Sequence, residues 1–412
     1  PAPEGREDVQ EAARLSVEAW DAAVRERGPV QLNLAYREPL SGAAGDAAPP
    51  RIPAPAASPG LVLVVLTPGP RTVVIAGDKA GDRAEAFARA IGAPLLAEVS
   101  SGARFGPNLV VPYRRLLDDP RFGGRVERAV VFGHPTLSRQ VPRLLARPEV
   151  AVVVVGPPGG DWFDPTGGRA ERVDDVAAAG PDPDRSWTGS WVAASRALAE
   201  SDDLPYAGDP SRSDARERRD HATAELAARR APVTRRALVA AVWRATWPHD
   251  RLVLGASRLI READETVPGK RIRVFANRGL AGIDGTVATA TGVALGLPSE
   301  HRAGTVRVLL GDLALLHDAG ALLTAPGERE PRLQVIVGND GGGTLFDSLE
   351  VAATAPAEDF DRVLLTPRPV DLGALAAAYG WSYERVERRS DLERVLTTPA
   401  PGRSLVEVPL PR

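Results

Sequence analysis

Two short polar motifs stand out in the last third of the sequence because each follows an apolar run directly. The first is GDL at residues 311–313, and the second is NDGGG at residues 339–343. The apolar runs before them are typical of buried strands, so both motifs are predicted at strand carboxyl ends. Asp312 and Asn339 are 27 positions apart, which leaves room for one helix and a return strand. We therefore expect a carboxylate and an amide oxygen to lie close together.

Such a pair of oxygen ligands suits Mg²⁺, which is usually completed by phosphate oxygens and water. The glycines at 341–343 leave backbone amides free to approach a diphosphate, and the helix expected after them would add its N-terminal dipole. A structural alternative stays open at this point. Asp312 could instead cap a helix, with residues 341–343 as a plain turn.

The elements that must position these motifs form an α/β pattern in which strand-like and helix-like segments alternate. In the last block, the predicted strands are residues 252–255, 272–276, 306–311, 333–337 and 405–408. The predicted helices there are residues 235–246, 286–295, 314–323, 372–379 and 390–396. An earlier block has strands at 72–75, 129–132 and 150–155 and helices at 83–91 and 137–146. We predict doubly wound parallel sheets, whose ligands bind beyond the carboxyl ends of the strands.

The chain of 412 residues is long enough for two or three domains. Residues 8–27 have helical spacing and residues 29–36 alternate like a strand, which is too little to bury a core alone. We expect residues 1–40 to be the tail of a domain, 41–60 a linker rich in Ala, Pro and Gly, 61–210 a central domain and 211–412 a C-terminal domain. A further helix is predicted at 215–230, with loops at 181–186 and 201–213.

Composition excludes several classes of function. The formal charge of −3 gives no electrostatic case for a nucleic-acid partner, and the absence of cysteine excludes disulfides, thiolate nucleophiles and Cys-ligated metals. No apolar run approaches the length of a membrane span, and residues 1–28 do not resemble a signal peptide. We therefore expect a cytoplasmic protein without a membrane span. The absence of methionine has no explanation in the sequence.

Longer strings in the last block narrow the function further. They are GASRLIR at residues 255–261, NRGLAGIDGT at 277–286 and the GNDGGG turn at 338–343. Together with GD and a later Asn, they resemble the thiamine-diphosphate enzyme family of 2-succinyl-5-enolpyruvyl-6-hydroxy-3-cyclohexene-1-carboxylate synthases in menaquinone biosynthesis. The strings PVQLN at 29–33 and REPL at 37–40 resemble the end of that family's first domain, and GHPTLSR at 133–139 resembles a turn of its second.

The resemblance implies an α/β fold of the thiamine-diphosphate-enzyme type and a cofactor of thiamine diphosphate with Mg²⁺ or Mn²⁺. Asp312 and Asn339 would bind the metal through their side chains and Gly341 through its carbonyl. Ile283 would be the bulky apolar residue beneath the cofactor. The remaining cofactor contacts implied are Gly311, Leu313, Ala314 and Gly342. Asp284 could belong to the site, although we favour a helix cap for it.

For substrates, the resemblance implies 2-oxoglutarate and isochorismate, both dicarboxylates. Ser257, Arg261 and Arg278 match positions that contact them, and an arginine fork binds a carboxylate with two hydrogen bonds. Arg139 is a further candidate from the central block. An apolar substrate contact falls on Leu345 or Phe346, and a threonine inserted before them, compared with related sequences, leaves the choice open.

The implied reaction is decarboxylation of 2-oxoglutarate and addition of the remaining four-carbon unit to isochorismate. The family's activating glutamate lies in its N-terminal pyrimidine-binding domain, and only the tail of that domain is recognisable here. The resemblance thus places no catalytic residue in these 412 residues, and we expect them to be inactive alone. A cofactor shared between subunits would require a homodimer or tetramer.

Two alternatives compete with this interpretation. Another thiamine-diphosphate carboligase or decarboxylase, similar to acetohydroxyacid synthase, would share the GD and Asn motifs but not the string at residues 277–286. A non-catalytic module of two nucleotide-binding domains would explain the missing glutamate. However, no GxGxxG motif follows any predicted strand, which weakens that second alternative.

Overall fold

The computed structural model describes residues 6–26, 29–33, 62–156, 163–202, 215–279, 282–298 and 304–412. The strands are β1 (Leu63–Leu66), β2 (Thr72–Ala76), β3 (Leu95–Ala97), β4 (Arg128–Phe132), β5 (Ala151–Val155), β6 (Glu171–Val173), β7 (Asp175–Ala178), β8 (Arg251–Leu254), β9 (Arg273–Ala276), β10 (Val306–Gly311), β11 (Leu333–Asn339), β12 (Ser382–Arg385) and β13 (Arg403–Pro409). The helices are α1 (Arg6–Glu26), α2 (Arg83–Ile91), α3 (Tyr113–Asp118), α4 (Gln140–Leu145), α5 (Ser186–Asp202), α6 (Ala215–Arg230), α7 (Arg235–Ala245), α8 (Arg258–Thr266), α9 (Thr286–Leu295), α10 (Asp312–His317), α11 (Val351–Thr354), α12 (Ala357–Phe360), α13 (Leu372–Ala378) and α14 (Arg389–Thr397). Short 3₁₀ turns lie at Gly123–Arg125, Ala319–Leu322 and Thr344–Ser348, and a π-helical turn lies at Asp361–Leu365.

The C-terminal sheet has the strand order β12-β13-β11-β10-β8-β9, and every pairing in it is parallel. Its four inner strands, β8, β10, β11 and β13, are buried along nearly their whole length. Successive side chains of a strand point to opposite sides, so both faces of the sheet are covered there. Leu309 joins a core cluster with helices α7, α8 and α14, whereas its neighbours Val308 and Leu310 join a second cluster with α9, α10 and α13. Helices therefore cover both faces, which confirms the doubly wound prediction for this block.

A second parallel sheet, in the order β3-β2-β4-β5-β6, forms the central unit. Here too, neighbouring residues of one strand feed different cores: Val74 packs on one face and Ile75 on the other. Strands β1 and β7 form a separate parallel pair. The α/β fold class expected from the sequence is thus confirmed in both blocks.

A buried polar cluster joins the two sheets. The Asp264 carboxylate, on α8, accepts the Val99 N–H at 2.8 Å and the Tyr113 hydroxyl at 2.6 Å, and it pairs with Arg114. The Arg104 guanidinium, also buried, donates to the carbonyl oxygens of residues 97, 264 and 267. Since α8 begins beside the GD motif, this cluster fixes the helix that carries the candidate substrate residues.

Several predicted elements need correction. Residues 29–33 form no strand, and the helix expected at 137–146 begins only at Gln140. The helix expected at 314–323 begins earlier, at Asp312, and ends at His317, where the chain continues as a 3₁₀ turn. No α-helix follows the glycine turn directly; residues 344–348 form another 3₁₀ turn.

Other predictions fall wholly or partly on residues outside the described ones. The linker at 41–60, the REPL string at 37–40 and most of the loop at 201–213 belong to this group, and so do residues 280–281 of the NRG string. The first two residues of that loop, 201 and 202, lie in α5. None of the helices that the structure describes is long and apolar enough to cross a membrane.

Candidate active site

The two polar motifs meet at the carboxyl edge of the C-terminal sheet. Strands β10 and β11 are hydrogen-bonded neighbours in a register that pairs Gly311 with Gly338. Asp312 and Asn339, which come directly after these glycines, therefore lie side by side. The backbone of Gly342 favours the charged form of the Asp312 carboxylate, so the glycine turn and the neighbouring strand end belong to one site. The spacing argument from the sequence thus placed these residues correctly relative to each other.

The Asp312 carboxylate lies buried, with no cationic partner among the described residues. The residue is 4% exposed, and no basic side chain of the described ranges forms an ion pair with it. Burial, with the nearby charge of Asp340, raises the pKa of Asp312 to about 6. A buried anion in this state is stabilised most directly by a bound cation.

The amide of Asn339 is held in one orientation. Its Nδ2 donates to Glu407 Oε1 at 2.8 Å, and its Oδ1 accepts the Gly341 N–H at 3.3 Å. The amide oxygen consequently faces the glycine turn and the nitrogen faces away from it.

The neighbouring acid, Asp340, is already neutralised. Its Oδ2 accepts from the Arg235 Nη2 at 3.0 Å and from the Thr344 hydroxyl. Of the two aspartates at this edge, Asp312 is therefore the one available to a cation.

These donors fit a divalent metal that prefers oxygen. No cluster of three His, Asp or Glu side chains occurs within the described ranges, so an ion here depends on a mixed set of oxygens. One carboxylate, one amide oxygen and a backbone carbonyl leave open positions for phosphate and water, which matches Mg²⁺ or Mn²⁺.

The geometry of α10 bears on the cap role considered for Asp312. Gly311 is the N-cap of α10 and Asp312 is its first residue, so Asp312 is not the cap. The cap expected from Asp284 is also wrong. Gly285 takes the N-cap position of α9, and in the first turn of that helix the Val287 N–H donates to Asp318 at 2.6 Å.

The glycine turn depends on conformations that only glycine adopts easily. Gly341 has φ +80° with open space around its Cα, whereas Gly342 has φ +139° and a Cβ there would lie 2.3 Å from the Leu365 carbonyl oxygen. The Gly343 N–H donates to that same carbonyl at 2.7 Å.

We expect Gly342→Ala to lower the thermal unfolding temperature much more than Gly341→Ala. In Gly341→Ala, the only penalty is the free energy of holding alanine in a left-handed conformation, about 1–2 kcal/mol. In Gly342→Ala, the new Cβ also forces the turn away from residue 365. Differential scanning fluorimetry of the two variants measures this. Equal shifts in the unfolding temperature would contradict the packing seen here.

The candidate substrate residues surround the start of α8. Ser257 is the N-cap of this helix, and its hydroxyl accepts the Leu259 N–H at 3.2 Å. The Cβ of Ser257 also lies against Gly311, next to the metal edge. One turn later, Arg261 is half-buried and its Nη1 donates to the Ser257 carbonyl at 3.2 Å.

Arg278 reaches the same region from the loop after β9. Its Nε and Nη2 donate to the hydroxyl and carbonyl oxygens of Thr136, at 2.9 and 3.1 Å. Burial lowers the pKa of the Arg261 guanidinium, and the charges of Arg278 and Arg114 lower it further. The two guanidiniums therefore act on each other electrostatically, and neither forms an ion pair with a described carboxylate. Such a pair forms an attractive site for an anionic ligand.

The other predicted residues divide into two groups. Ile283 is partly buried against the core cluster that contains α9 and α10, and Leu345 and Phe346 are both half-buried in the 3₁₀ turn after the glycines. Leu313 and Ala314 lie in the first turn of α10. Arg139, in contrast, forms an exposed ion pair with Glu350 at 3.0 Å, with 73% of its side chain accessible.

A cleft of about 1100 Å³ opens between the two sheets on this side. It is bounded by the segments after β2 and β3 and by β9, and Asn277 and Arg278 lie on its wall. Of the two arginines, Arg278 is the one that lines this cleft, which is large enough to hold a small molecule.

Glu98 was not predicted from the sequence, and it holds the backbone segment to which Arg278 is bonded. Its Oε1 accepts the N–H groups of Thr136 and Leu137, both at 2.7 Å, while its buried Oε2 has no hydrogen-bond partner in the part of the chain that the structure describes. Burial, with the charge of Asp264, raises the pKa of Glu98 to about 8. The available signal was a single acid at the end of the apolar string APLLAE at residues 93–98.

The raised pKa predicts a pH dependence of stability. A folded-state pKa of about 8, against an ordinary 4.5, means that the folded protein loses stability as the pH rises through this window. Glutamine cannot titrate, so we expect the unfolding temperature of Glu98→Gln to fall less than that of the wild type between pH 6 and pH 8. The expected difference is a few degrees, since about 1 kcal/mol corresponds to roughly 2–4 °C in a domain of this size. Parallel curves for both proteins would contradict the assignment.

Comparison with known proteins gives consistent results. Residues 266–408 match the family described as "Thiamine pyrophosphate enzyme, C-terminal TPP binding domain". A 2-succinyl-5-enolpyruvyl-6-hydroxy-3-cyclohexene-1-carboxylate synthase from Leifsonia xyli is 55% identical over all of this chain and 74% of its own length. The protein of the same name from Clavibacter michiganensis is 53% identical, with the same coverage of both chains. The chain belongs to this synthase family.

Membership of the family confirms the interpretation preferred from the sequence. The chain belongs to an enzyme, a transferase that depends on thiamine diphosphate and a divalent metal ion such as Mg²⁺. The Mycobacterium avium family member is 34% identical over 96% of this chain and 68% of its own length. A benzoylformate decarboxylase from Polynucleobacter necessarius has a similar fold, with a TM-score of 0.50 at 15% identity, over 83% of this chain and 62% of that one.

Proposed function

We propose that this protein decarboxylates 2-oxoglutarate and adds the remaining four-carbon unit to isochorismate, forming the product after which its relatives are named. The observation that carries this proposal is the buried Asp312 carboxylate, without a basic partner among the described residues, beside the oriented Asn339 amide. It is supported by the identity to synthases of this name along the whole chain.

In this proposal, Asp312, Asn339 and the Gly341 carbonyl hold the metal ion. Gly311, Leu313, Ala314 and Gly342 form the backbone around the diphosphate, and Ile283 supports the cofactor from the core side. When bound, thiamine diphosphate supplies a nucleophilic carbon and an acceptor for the electrons released as carbon dioxide leaves. The chain itself contributes binding, orientation and charge.

Substrate binding is assigned to the residues around α8. Arg261 and Arg278 would hold substrate carboxylates by paired hydrogen bonds, and the Ser257 hydroxyl retains a hydrogen to donate because it only accepts in the cap. Leu345 or Phe346 would pack against the apolar part of a substrate. Arg139, in its exposed ion pair, would require a change of partner to take part.

The test is conversion of 2-oxoglutarate and isochorismate by the protein expressed from its complete gene, with Mg²⁺ and thiamine diphosphate. We expect carbon dioxide release and the named product, identified by mass spectrometry. Consumption of pyruvate in place of 2-oxoglutarate would favour the acetohydroxyacid-synthase-like alternative. The inactivity expected of the 412 residues alone stays a prediction that the same assay measures.

We propose the same domain division as the sequence suggested, with residues 61–210 and 211–412 as separate units. We further propose a cytoplasmic homodimer or tetramer. Sedimentation velocity of the purified protein distinguishes these two assemblies, and a monomer would contradict both. Fractionation of the source cells tests the location.

A further inference from the structure

A row of three polar side chains crosses three neighbouring strands behind the candidate metal edge. Asn339 ends β11, Glu407 lies on β13 and Tyr383 on β12, and the register pairs Glu407 with Val337 and with Arg385. Both Asn339 and Tyr383 are therefore two positions from a partner of Glu407, so all three side chains lie on one face of the sheet.

The contacts within this row are direct. Glu407 is 5% exposed; its Oε1 accepts from Asn339 Nδ2 at 2.8 Å and its Oε2 accepts the Tyr383 hydroxyl. Within the described ranges, no basic side chain pairs with this carboxylate. Both of its oxygens are thus occupied by the two neighbours in the row.

The consequence concerns the Asn339 amide, whose two ends have opposite chemistry. A carboxylate can only accept, so the hydrogen bond to Glu407 requires the nitrogen on that side and the oxygen on the other. The opposite orientation would put the amide N–H groups toward a cation and the oxygen against the Glu407 carboxylate. Each of these contacts is repulsive.

We propose that Glu407 is a positioning residue that sets the Asn339 amide so that its oxygen faces the metal ion. The inference rests on the metal site of the proposed function and goes beyond it to a residue that touches neither metal nor cofactor. Partners of this kind behind a metal ligand typically change metal affinity by about 10- to 100-fold when removed.

The test measures Mg²⁺ affinity by calorimetry in the presence of thiamine diphosphate, and by Mn²⁺ electron paramagnetic resonance, for two conservative variants. Glu407→Gln has the same reach but can present either an oxygen or an N–H to Asn339, so the observed orientation stays available without being enforced, and we expect Mg²⁺ affinity to fall by only about twofold to threefold. Glu407→Asp keeps the charge but is shorter, so we expect a loss of about 10- to 100-fold. The reverse order would overturn the proposal, because charge and not orientation would then matter.

Three further measurements separate this role from a purely structural one. The metal-free unfolding temperature should be unchanged in Glu407→Gln, and cofactor affinity at saturating Mg²⁺ should recover in Glu407→Asp. The control Glu387→Ala removes an exposed glutamate two residues after β12 and should leave Mg²⁺ affinity unchanged. If both Glu407 variants bind Mg²⁺ normally while Asp312→Ala does not, the positioning role of Glu407 is wrong. If Asp312→Ala also binds Mg²⁺ normally, the proposed metal site itself is wrong.

Discussion

Replacing Asp312 by alanine abolishes Mg²⁺-dependent binding of thiamine diphosphate in our account, with a loss of at least about 100-fold in affinity. The carboxylate is buried at a strand end and lacks a basic partner among the described residues, so the metal ion is its natural counter-charge. Isothermal titration calorimetry at fixed Mg²⁺ measures the effect directly.

Two variants sharpen this measurement. Asp312→Asn preserves shape and one oxygen but removes the charge, so its affinity should fall between those of the wild type and the alanine variant. Asp359→Ala removes an exposed aspartate elsewhere in the same domain and should bind the cofactor like wild type. Unchanged binding by Asp312→Ala would refute the assignment of the metal ligand.

The second large effect is expected at the arginine pair. Arg261→Ala and Arg278→Ala should each lower kcat/KM for the dicarboxylate substrates by about 100-fold, since removing one partner of a buried charge pair costs roughly 2–5 kcal/mol. Arg278→Lys should recover only part of this, because an ammonium cannot make the paired hydrogen bonds of a guanidinium. Steady-state kinetics with each substrate varied in turn assigns each arginine to its substrate.

The matched control is Arg244→Ala, which removes an exposed guanidinium of α7 that pairs with Glu393. This variant should keep wild-type kinetics. If Arg261→Ala and Arg278→Ala also stayed within threefold of wild type, the two arginines would not form the substrate anion site.

Apolar runs and helical periodicity in the sequence predicted those strands and helices whose formation depends mainly on neighbouring residues. Strand β10 and helix α9 have the predicted bounds, because apolar runs and helical periodicity decide such elements nearly alone. Helix α10 was predicted to begin at residue 314 but begins at the buried Asp312. Apolar periodicity cannot indicate a helix start at which the first residue is polar and buried.

The residues of the candidate site also fall into those that local sequence predicts and those that depend on distant partners. Asp312, Asn339 and the glycine turn could be predicted because they follow strands directly. Glu98 and Glu407 could not, since their roles depend on partners 38 and 68 positions away. A single acid within an apolar strand indicates only that a partner exists; the pairing of β13 with β11 identifies it as Asn339.

The most direct test of the central claim is a crystal structure with thiamine diphosphate and Mn²⁺, whose anomalous scattering locates the metal without ambiguity. We expect one ion bound by the Asp312 carboxylate, Asn339 Oδ1 and the Gly341 carbonyl, with the cofactor's phosphates completing its coordination. An ion bound elsewhere, or a diphosphate held without any of these three residues, would contradict this expectation.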